Sequence, residues 1–265
     1  METGAKVDAS AKGRAGKIKL KVESASKRYQ TKTGSVHALD DVSLQVREGE
    51  FVCIIGPSGC GKSTLLWSMA GLHPLSGGRV TIDDQLIDRP NPQIAMIFQD
   101  ANLLPWRTIE ENIALPFEIK KTKADKSRIN ALLAEVGLGG FNQKYPRELS
   151  GGMQQRASIV RSLAVEPSVL LMDEPFGALD AFTRDEMNLL IQKIWMETRK
   201  TIAFVTHSIP EAIFLADRIV VMSARPGRIA EVIDIDMPRP RPITIQNEPA
   251  FIEKVVHIKS MIDGH

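Results

Sequence analysis

The sequence predicts an α/β fold, and three observations support this prediction. Five short apolar runs have the density of strands that are buried on both faces of a parallel sheet, and they lie at residues 51–55, 94–98, 169–172, 202–205 and 219–222. Amphipathic helical patterns separate several of these runs, and alternation of this kind is typical of α/β proteins. One long polar stretch, residues 103–165, interrupts the alternation with sequence that favours helices over strands.

The N-terminal part begins with a segment that has no apolar period. Residues 1–16 are rich in Ala, Gly, Lys and Ser, and this composition predicts a disordered basic tail. Its lysines could contact anionic lipid, although a solvated tail is the simpler interpretation. Residues 18–22 and 36–46 then alternate apolar and polar side chains around a turn at Gly34, which predicts antiparallel strands with one exposed face.

The rest of the chain predicts one large domain, residues 17–265, with a helical part inside it. Residues 123–136 and 153–164 favour helices, so we expect a helical subdomain of about residues 100–165 between two strands of the core. A proline-rich segment precedes a short final helix, which is expected at about residues 249–262.

Composition and charge argue against several classes of protein. The chain has 265 residues, 43% of them hydrophobic, yet no stretch approaches the roughly 18 to 20 apolar residues of a membrane-spanning helix. The N-terminus lacks the pattern of a signal peptide, so a cytoplasmic location is expected. A net charge of +2 is too small to indicate a nucleic-acid partner. Cys53 and Cys60 are too few for a disulfide framework or a metal cluster.

A glycine-rich loop follows the first dense apolar run and opens a predicted helix. In this position glycines let backbone N–H groups converge on phosphate oxygens, while the helix N-terminus adds partial positive charge. Lys62 would reach the outer phosphates and Ser63 would bind magnesium. A glycine turn with a chance Lys-Ser pair is the weaker alternative. The predicted nucleotide-binding residues are Gly56, Pro57, Ser58, Gly59, Cys60, Gly61, Lys62, Ser63 and Thr64.

Two consecutive carboxylates end the apolar run at residues 169–172. Alone, this pattern usually marks a strand that emerges into solvent, but behind a phosphate loop it predicts a site for a phosphate-bound metal ion. We expect Asp173 to hold Mg²⁺ through water and Glu174 to act as general base on the attacking water. Cys60, inside the loop, is either a small filler or an exposed, reactive thiol.

The residues after the polar stretch carry a resemblance to a known family. Residues 149–156 read Leu-Ser-Gly-Gly-Met-Gln-Gln-Arg, and this octet resembles the signature of the ABC transporter ATPases. Ser150 can cap a helix whose first turn, at Gly151 and Gly152, allows close backbone approach to an anion. In the family this helix contacts the γ-phosphate of ATP held by a second copy. The resemblance therefore implies an ATP-sandwich dimer of P-loop NTPase cores, each with an antiparallel β subdomain and an inserted helical subdomain.

Four further positions match the family by their place in the sequence. By the resemblance, Gln99 would be a catalytic and metal-binding residue that couples the helical subdomain to the core. Asp180 would line the dimer seam, and His207 would contact the γ-phosphate as a catalytic residue. Tyr29 falls where the family has an aromatic that stacks on adenine. Taken alone, a Gln, Asp or His at a strand end is more often an ordinary polar cap. For Tyr29 the alternative is an ordinary aromatic at a strand end.

Two segments narrow the resemblance, because residues 103–117 and 222–229 are similar to those of nitrate, sulfonate and taurine importer ATPases. Trp106, in the first segment, would anchor a membrane subunit or pack in the core of the helical subdomain. The resemblance implies an ATPase that uses ATP and Mg²⁺ at the cytoplasmic face of the inner membrane. Its partners would be permease subunits and, indirectly, a solute-binding protein. The alternative is a soluble ABC-type ATPase of DNA repair, translation or cluster assembly.

Overall fold

The computed structural model describes residues 16–31 and 34–263, in which strands and helices alternate as in an α/β protein. The strands are β1 (Ile18–Thr31), β2 (Gly34–Arg47), β3 (Phe51–Ile55), β4 (Gly77–Ile82), β5 (Gln85–Leu86), β6 (Ile94–Ile97), β7 (Val169–Asp173), β8 (Thr201–Val205), β9 (Arg218–Met222) and β10 (Ile229–Asp234). The α-helices are α1 (Lys62–Met69), α2 (Ile109–Lys120), α3 (Lys126–Glu135), α4 (Gly151–Ala164), α5 (Ala181–Thr198), α6 (Ile209–Leu215) and α7 (Pro249–Asp263). The predicted fold class is confirmed. The predicted tail lies outside the described residues, except for Gly16.

The core sheet has six strands in the order β10-β9-β3-β8-β7-β6, and all neighbours are parallel except β10 and β9. Every residue of β3, β7, β8 and β9 is buried, which explains why these strands read as dense apolar runs. Alternate residues of β3 face different apolar clusters, since Phe51 and Cys53 pack in one and Val52 and Ile54 in the other. The sheet is thus covered on both faces.

A second, antiparallel sheet has the order β2-β1-β4-β5. The first two strands were predicted, but β1 continues to Thr31, well beyond the alternating stretch that indicated it. Strands β4 and β5 were not predicted, because β4 begins with two glycines and β5 has only two residues. Leu20 and Val80, from this sheet, pack in the same apolar cluster as Leu65 and Leu66 of α1, so the sheet covers the helix that follows the glycine-rich loop.

A helical part separates the adjacent strands β6 and β7. Its three helices share an apolar cluster that contains Ile109, Ile113, Ile129, Leu133 and Val160. Helix α2 was not predicted, because it contains Pro116. A capping box at its N-terminus stabilises the helix. The boundaries of about 100–165 remain a prediction. None of the helices in the described part of the chain is both long and apolar enough to cross a membrane.

The C-terminal segment is fastened to the core by the buried side chain of Arg241. Its Nη1 atom donates to the carbonyl oxygens of Ile213, Phe214 and Ala216 at 2.8, 2.8 and 2.9 Å. These carbonyls belong to the last turn of α6 and the residue after it, where no helical N–H group is available to bind them. A cation at this end also complements the helix dipole. Helix α7 then follows, close to the predicted position.

We expect Arg241→Met to lower the free energy of unfolding by about 3 kcal/mol, because three buried carbonyl groups lose their donor. Urea denaturation followed by far-UV circular dichroism measures the change. Arg89→Met is the matched control, since the Arg89 side chain is 88% exposed and should contribute less than about 0.5 kcal/mol. Equal stability of the two variants would contradict this assignment.

Candidate functional site

The loop between β3 and α1 has a shape that only glycine permits at two positions. Gly56 and Gly61 have positive φ angles of 154° and 101°. A Cβ atom on Gly56 would lie 2.6 Å from the Met222 carbonyl oxygen, and one on Gly61 would lie 2.8 Å from the Ala38 carbonyl oxygen. No side chain caps α1 and no acidic residue lies in its first turn. Its N-terminal N–H groups are therefore available to an anion such as a phosphate.

Lys62 is the first residue of α1, and its buried side chain packs against this loop. Its Nζ atom donates to the carbonyl oxygens of Gly56 and Pro57, both at 2.9 Å. These bonds use two of the three donors of the ammonium group and hold it where the loop curves. The hydrogen bonds therefore hold the positive charge of Lys62 near the N-terminus of α1.

The carboxylate of Asp173, at the end of β7, lies against α1. Ser63 Oγ donates to Asp173 Oδ1 at 2.8 Å, and Trp67 Nε1 donates to Asp173 Oδ2 at 2.9 Å. Burial raises the pKa of Asp173, while the two hydrogen bonds act in the opposite direction. A buried carboxylate beside a hydroxyl oxygen is a donor set that suits a hard cation such as Mg²⁺.

Glu174 and His207 meet beside this pair. His207 Nδ1 lies 2.8 Å from Glu174 Oε2, and the Glu174 backbone N–H donates to the Val205 carbonyl oxygen at 2.9 Å. Glu174 has a positive φ of 46°, an uncommon conformation for this residue type that turns the chain at the end of β7. The adjacent strands β7 and β8 thus place a carboxylate and an imidazole together at the sheet edge.

A pocket of about 480 Å³ opens over the loop, and half of the predicted site residues line it. The residues that line it are Tyr29, Val36, Ala38, Ser58, Gly59, Gly61, Lys62, Ser63, Thr64, Glu174, His207 and Arg225. Three of them, Val36, Ala38 and Arg225, were not predicted. Arg225 donates from Nε and Nη2 to the Gly59 carbonyl oxygen at 3.1 and 3.0 Å. Residues 222–229, which contain Arg225, supported only the family resemblance. The spacing of residues in the sequence did not indicate this contact.

Tyr29 lies half-buried at one side of the pocket. Its hydroxyl group lies 3.4 Å from Thr64 Oγ1 and 3.1 Å from His73 Nδ1. Lys27 Nζ lies 4.8 Å from the centre of the tyrosine ring, within the range of a cation–π contact. The ring is thus held in place beside α1, and its stacking on adenine remains a prediction.

The signature residues do not line this pocket. Ser150 caps α4, since its Oγ accepts from the Met153 backbone N–H at 3.4 Å. A Cβ atom on Gly152 would lie 2.7 Å from Thr183 Cγ2, so a glycine is required where the first turns of α4 and α5 meet. Gly151 beside it is exposed, with open space where a Cβ would lie.

Asp180 and Gln99 also lie outside the set that lines the pocket. Asp180 caps α5 by accepting from the Thr183 backbone N–H at 3.0 Å and from the Thr183 hydroxyl at 2.7 Å, and these bonds lower its pKa. Gln99 is exposed, and a Cβ atom on Gly177 would lie 3.3 Å from Gln99 Nε2. Gln99 is therefore next to the turn that joins Glu174 to Asp180.

Cys60 is buried, which supports the filler interpretation over the alternative of an exposed thiol. Its Sγ would lie 3.1 Å from a Cβ on Gly56, and Lys62 Nζ lies 3.8 Å from it. Burial raises the pKa of the Cys60 thiol, although the nearby Lys62 ammonium opposes the shift. A raised pKa leaves little thiolate at neutral pH.

We expect iodoacetamide to modify Cys60 at pH 7.5 at least about tenfold more slowly in the folded chain than in guanidinium chloride, because burial limits both access and thiolate formation. Cys53→Ala leaves Cys60 as the one thiol of the chain, and mass spectrometry follows the rate. The chain without either cysteine gives the background. Equal rates in the two conditions would mean that the loop opens freely.

Comparisons of the sequence with those of known proteins identify a family. Residues 39–177 match the family model described as ABC transporter. An uncharacterized ABC transporter ATP-binding protein of Methanocaldococcus jannaschii is 45% identical over 91% of each chain. The aliphatic sulfonates import ATP-binding protein SsuB of Bacillus cereus is 44% identical, over 89% of this chain and 94% of its own. The taurine import ATP-binding protein TauB of Rhizobium johnstonii is 44% identical, over 92% and 96%.

Solved structures agree with the sequence relatives. The dimeric structure of the bacterial ABC transporter cassette MJ0796 is 34% identical and has a TM-score of 0.73, covering 83% of this chain and all of that one. A post-hydrolysis state of the same cassette, bound to ADP and Pi, has a TM-score of 0.72 at 33% identity and the same coverage. The chain therefore belongs to the ATP-binding proteins of the ABC transporters.

Proposed function

We propose that this chain binds ATP with Mg²⁺ in the pocket above α1 and hydrolyses it to drive import of a small anionic or organic solute, such as nitrate, a sulfonate or taurine. The observation that carries the proposal is the meeting of two pairs beside Lys62. Ser63 and Asp173 form one pair and Glu174 and His207 the other. Lys62, Ser63, Glu174 and His207 line one pocket, and Asp173 is bonded to Ser63 directly beside it, so a phosphate cradle, a metal-binding carboxylate and a base lie together.

The residues present fit a magnesium ion. Ser63 Oγ and Asp173 Oδ1 are oxygen donors 2.8 Å apart, and burial of the carboxylate favours a cation partner. Lys62 would exchange its bonds to the loop carbonyls for bonds to the phosphates. The metal ion, when bound, would neutralise part of the phosphate charge. Among the described residues no cluster of three His, Cys, Asp or Glu side chains forms a metal site, so phosphate and water would complete the coordination.

Glu174 is the proposed general base. Its carboxylate would accept a proton from water as the water oxygen bonds to the γ-phosphorus and the bond from that phosphorus to the bridging oxygen breaks. ADP leaves with the electron pair of that bond. His207, 2.8 Å from Glu174, would orient the carboxylate and donate to a γ-phosphate oxygen. Gln99, next to Gly177, would sense the nucleotide through the turn beyond Glu174.

A second copy would complete the site. Ser150, Gly151, Gly152 and Asp180 match family positions at the nucleotide, yet they lie outside the pocket of their own chain. The exposed N-terminus of α4 can offer its N–H groups to a phosphate held elsewhere. The related cassette MJ0796 is described as dimeric, which supports the same assembly here. Two chains would then enclose two ATP molecules, and closure would depend on the higher affinity of the closed state for ATP than for ADP.

Import is proposed from the relatives, since SsuB and TauB are named as import ATP-binding proteins. The partners would be integral membrane permease subunits on the cytoplasmic side of the inner membrane, with a solute-binding protein acting indirectly. Trp106 is 71% exposed in the helical part, which supports a role as an anchor for a partner over packing within that part. Ile119, on α2, is a second exposed apolar side chain of the helical part, at 73%.

Glu174→Gln should lower ATP hydrolysis by at least about a hundredfold, because the attacking water loses its base. ATP affinity should stay within about threefold, since the phosphate loop and Lys62 are unchanged. A phosphate-release assay measures the rate, and size-exclusion chromatography with ATP should then show a stable dimer. Glu253→Gln, on the exposed face of α7, is the matched control. Normal hydrolysis by Glu174→Gln would show that another group is the base.

The transport role is tested by affinity-tagging this chain in its own cells, extracting it in mild detergent and identifying its partners by mass spectrometry. We expect an integral membrane protein in stoichiometric amount. Trp106→Ala should lower its recovery several-fold, whereas Ile252→Ala, also an exposed apolar side chain but on α7, should not. Recovery with soluble proteins, ribosomes or DNA alone would contradict the importer and favour the soluble ATPase.

A further inference from the structure

Trp67 lies on α1 one turn beyond Ser63, and no sequence motif indicates a role for it. Its indole Nε1 donates to Asp173 Oδ2 at 2.9 Å, while Ser63 Oγ donates to Asp173 Oδ1 at 2.8 Å. Residues at i and i+4 share one face of a helix, which explains how both donors reach the same group. One helix thus binds both oxygens of the carboxylate that is proposed to hold Mg²⁺.

The Trp67 ring also packs against His73. The two rings meet edge to face, with 4.8 Å between their centroids and an angle of 89° between their planes. His73 Nδ1 lies 3.1 Å from the Tyr29 hydroxyl group. Contacts therefore run without a gap from Tyr29, at the expected adenine side of the pocket, to Asp173 at the metal side.

The chemistry of indole limits what Trp67 can do. Its N–H group donates a hydrogen bond but neither accepts one nor binds a metal ion. The hydrogen bond that Trp67 donates can therefore affect the metal ion only through Asp173. A donor at Oδ2 stabilises the charged carboxylate in a buried place and fixes its rotation, so that Oδ1 stays beside Ser63.

We propose that Trp67 is a positioning residue that holds the Asp173 carboxylate in its magnesium-binding orientation, and that His73 braces the Trp67 ring. The inference rests on the proposed function, because it requires Asp173 to serve the metal ion. The affinity for Mg²⁺ would then depend on Trp67, which contacts His73 and, through it, Tyr29 at the expected adenine side of the pocket.

Trp67→Phe tests the proposal, since it removes the N–H donor and keeps an aromatic ring against His73. The measured quantity is the gain in affinity for a hydrolysis-resistant ATP analogue when Mg²⁺ replaces EDTA, obtained by isothermal titration calorimetry on the full chain. We expect the gain to fall by about tenfold, the effect of one hydrogen bond to a charged group. Affinity in EDTA should stay within about twofold of the wild-type value, because the phosphate loop is unchanged.

Trp195→Phe is the matched control. Trp195 is buried, and its indole nitrogen has no hydrogen-bond partner among the residues that the structure describes. This variant loses the same atoms without losing a bond to a carboxylate, so its gain on adding Mg²⁺ should equal that of the wild type. An unchanged gain in Trp67→Phe would overturn the proposal, and so would equal weakening with and without Mg²⁺.

Two further variants separate this inference from the proposed function. Asp173→Asn should lose most of the gain, and a retained gain would mean that the proposed metal site itself is wrong. If Asp173→Asn loses the gain while Trp67→Phe keeps it, only the positioning role fails. His73→Ala keeps the indole N–H and removes its brace, so we expect a gain about threefold smaller than that of the wild type. A full gain in this variant would refute the brace, even if Trp67→Phe did not fold.

Discussion

Strands β3, β8 and β7 pair in parallel, and their register places their carboxyl ends side by side. The nucleotide site depends on this register. Val205 of β8 pairs with Ile54 on one side and with Asp173 on the other. The glycine-rich loop, the acidic pair and His207 extend from these three ends. Because parallel strands cannot be joined by a tight turn, each group comes from a distant part of the chain and arrives by a crossover.

The same register explains what the sequence could predict. Strands buried on both faces leave a dense apolar signal, so the five parallel strands of the core sheet were predicted. Strand β10, which is mostly half-buried, was not predicted, and the roles of the residues just beyond the strands stay predictions. Trp67, His73 and Arg225 gave no such signal, because their importance comes from which side chains they meet across the fold. The exposure of Cys60 could not be predicted for a related reason. It depends on backbone that packs against the loop from a distant part of the chain, and not on the local sequence. Short or glycine-rich strands such as β5 and β4 also lack a distinctive pattern.

The helical part is joined to the core by more than its two connections. Gly152 at the start of α4 packs against Thr183, which is itself bound by Asp180. Gln155 Nε2 donates to the Phe98 carbonyl oxygen at 2.9 Å, next to Gln99. The first two turns of α4 are thus in contact with the segments that follow β6 and β7.

The glycine-rich loop owes its shape to residues made much later on the ribosome. Met222 lies over Gly56, Arg225 binds the Gly59 carbonyl oxygen, and a Cβ on Gly227 would lie only 2.0 Å from the Cys60 carbonyl oxygen. A nascent chain that has exposed only the loop and its helix lacks all three contacts. Synthesis proceeds from the N-terminus, and pairings between distant residues form late. The shape of the loop in the folded chain therefore includes contacts that a nascent chain cannot make until residues 222–227 have been synthesised.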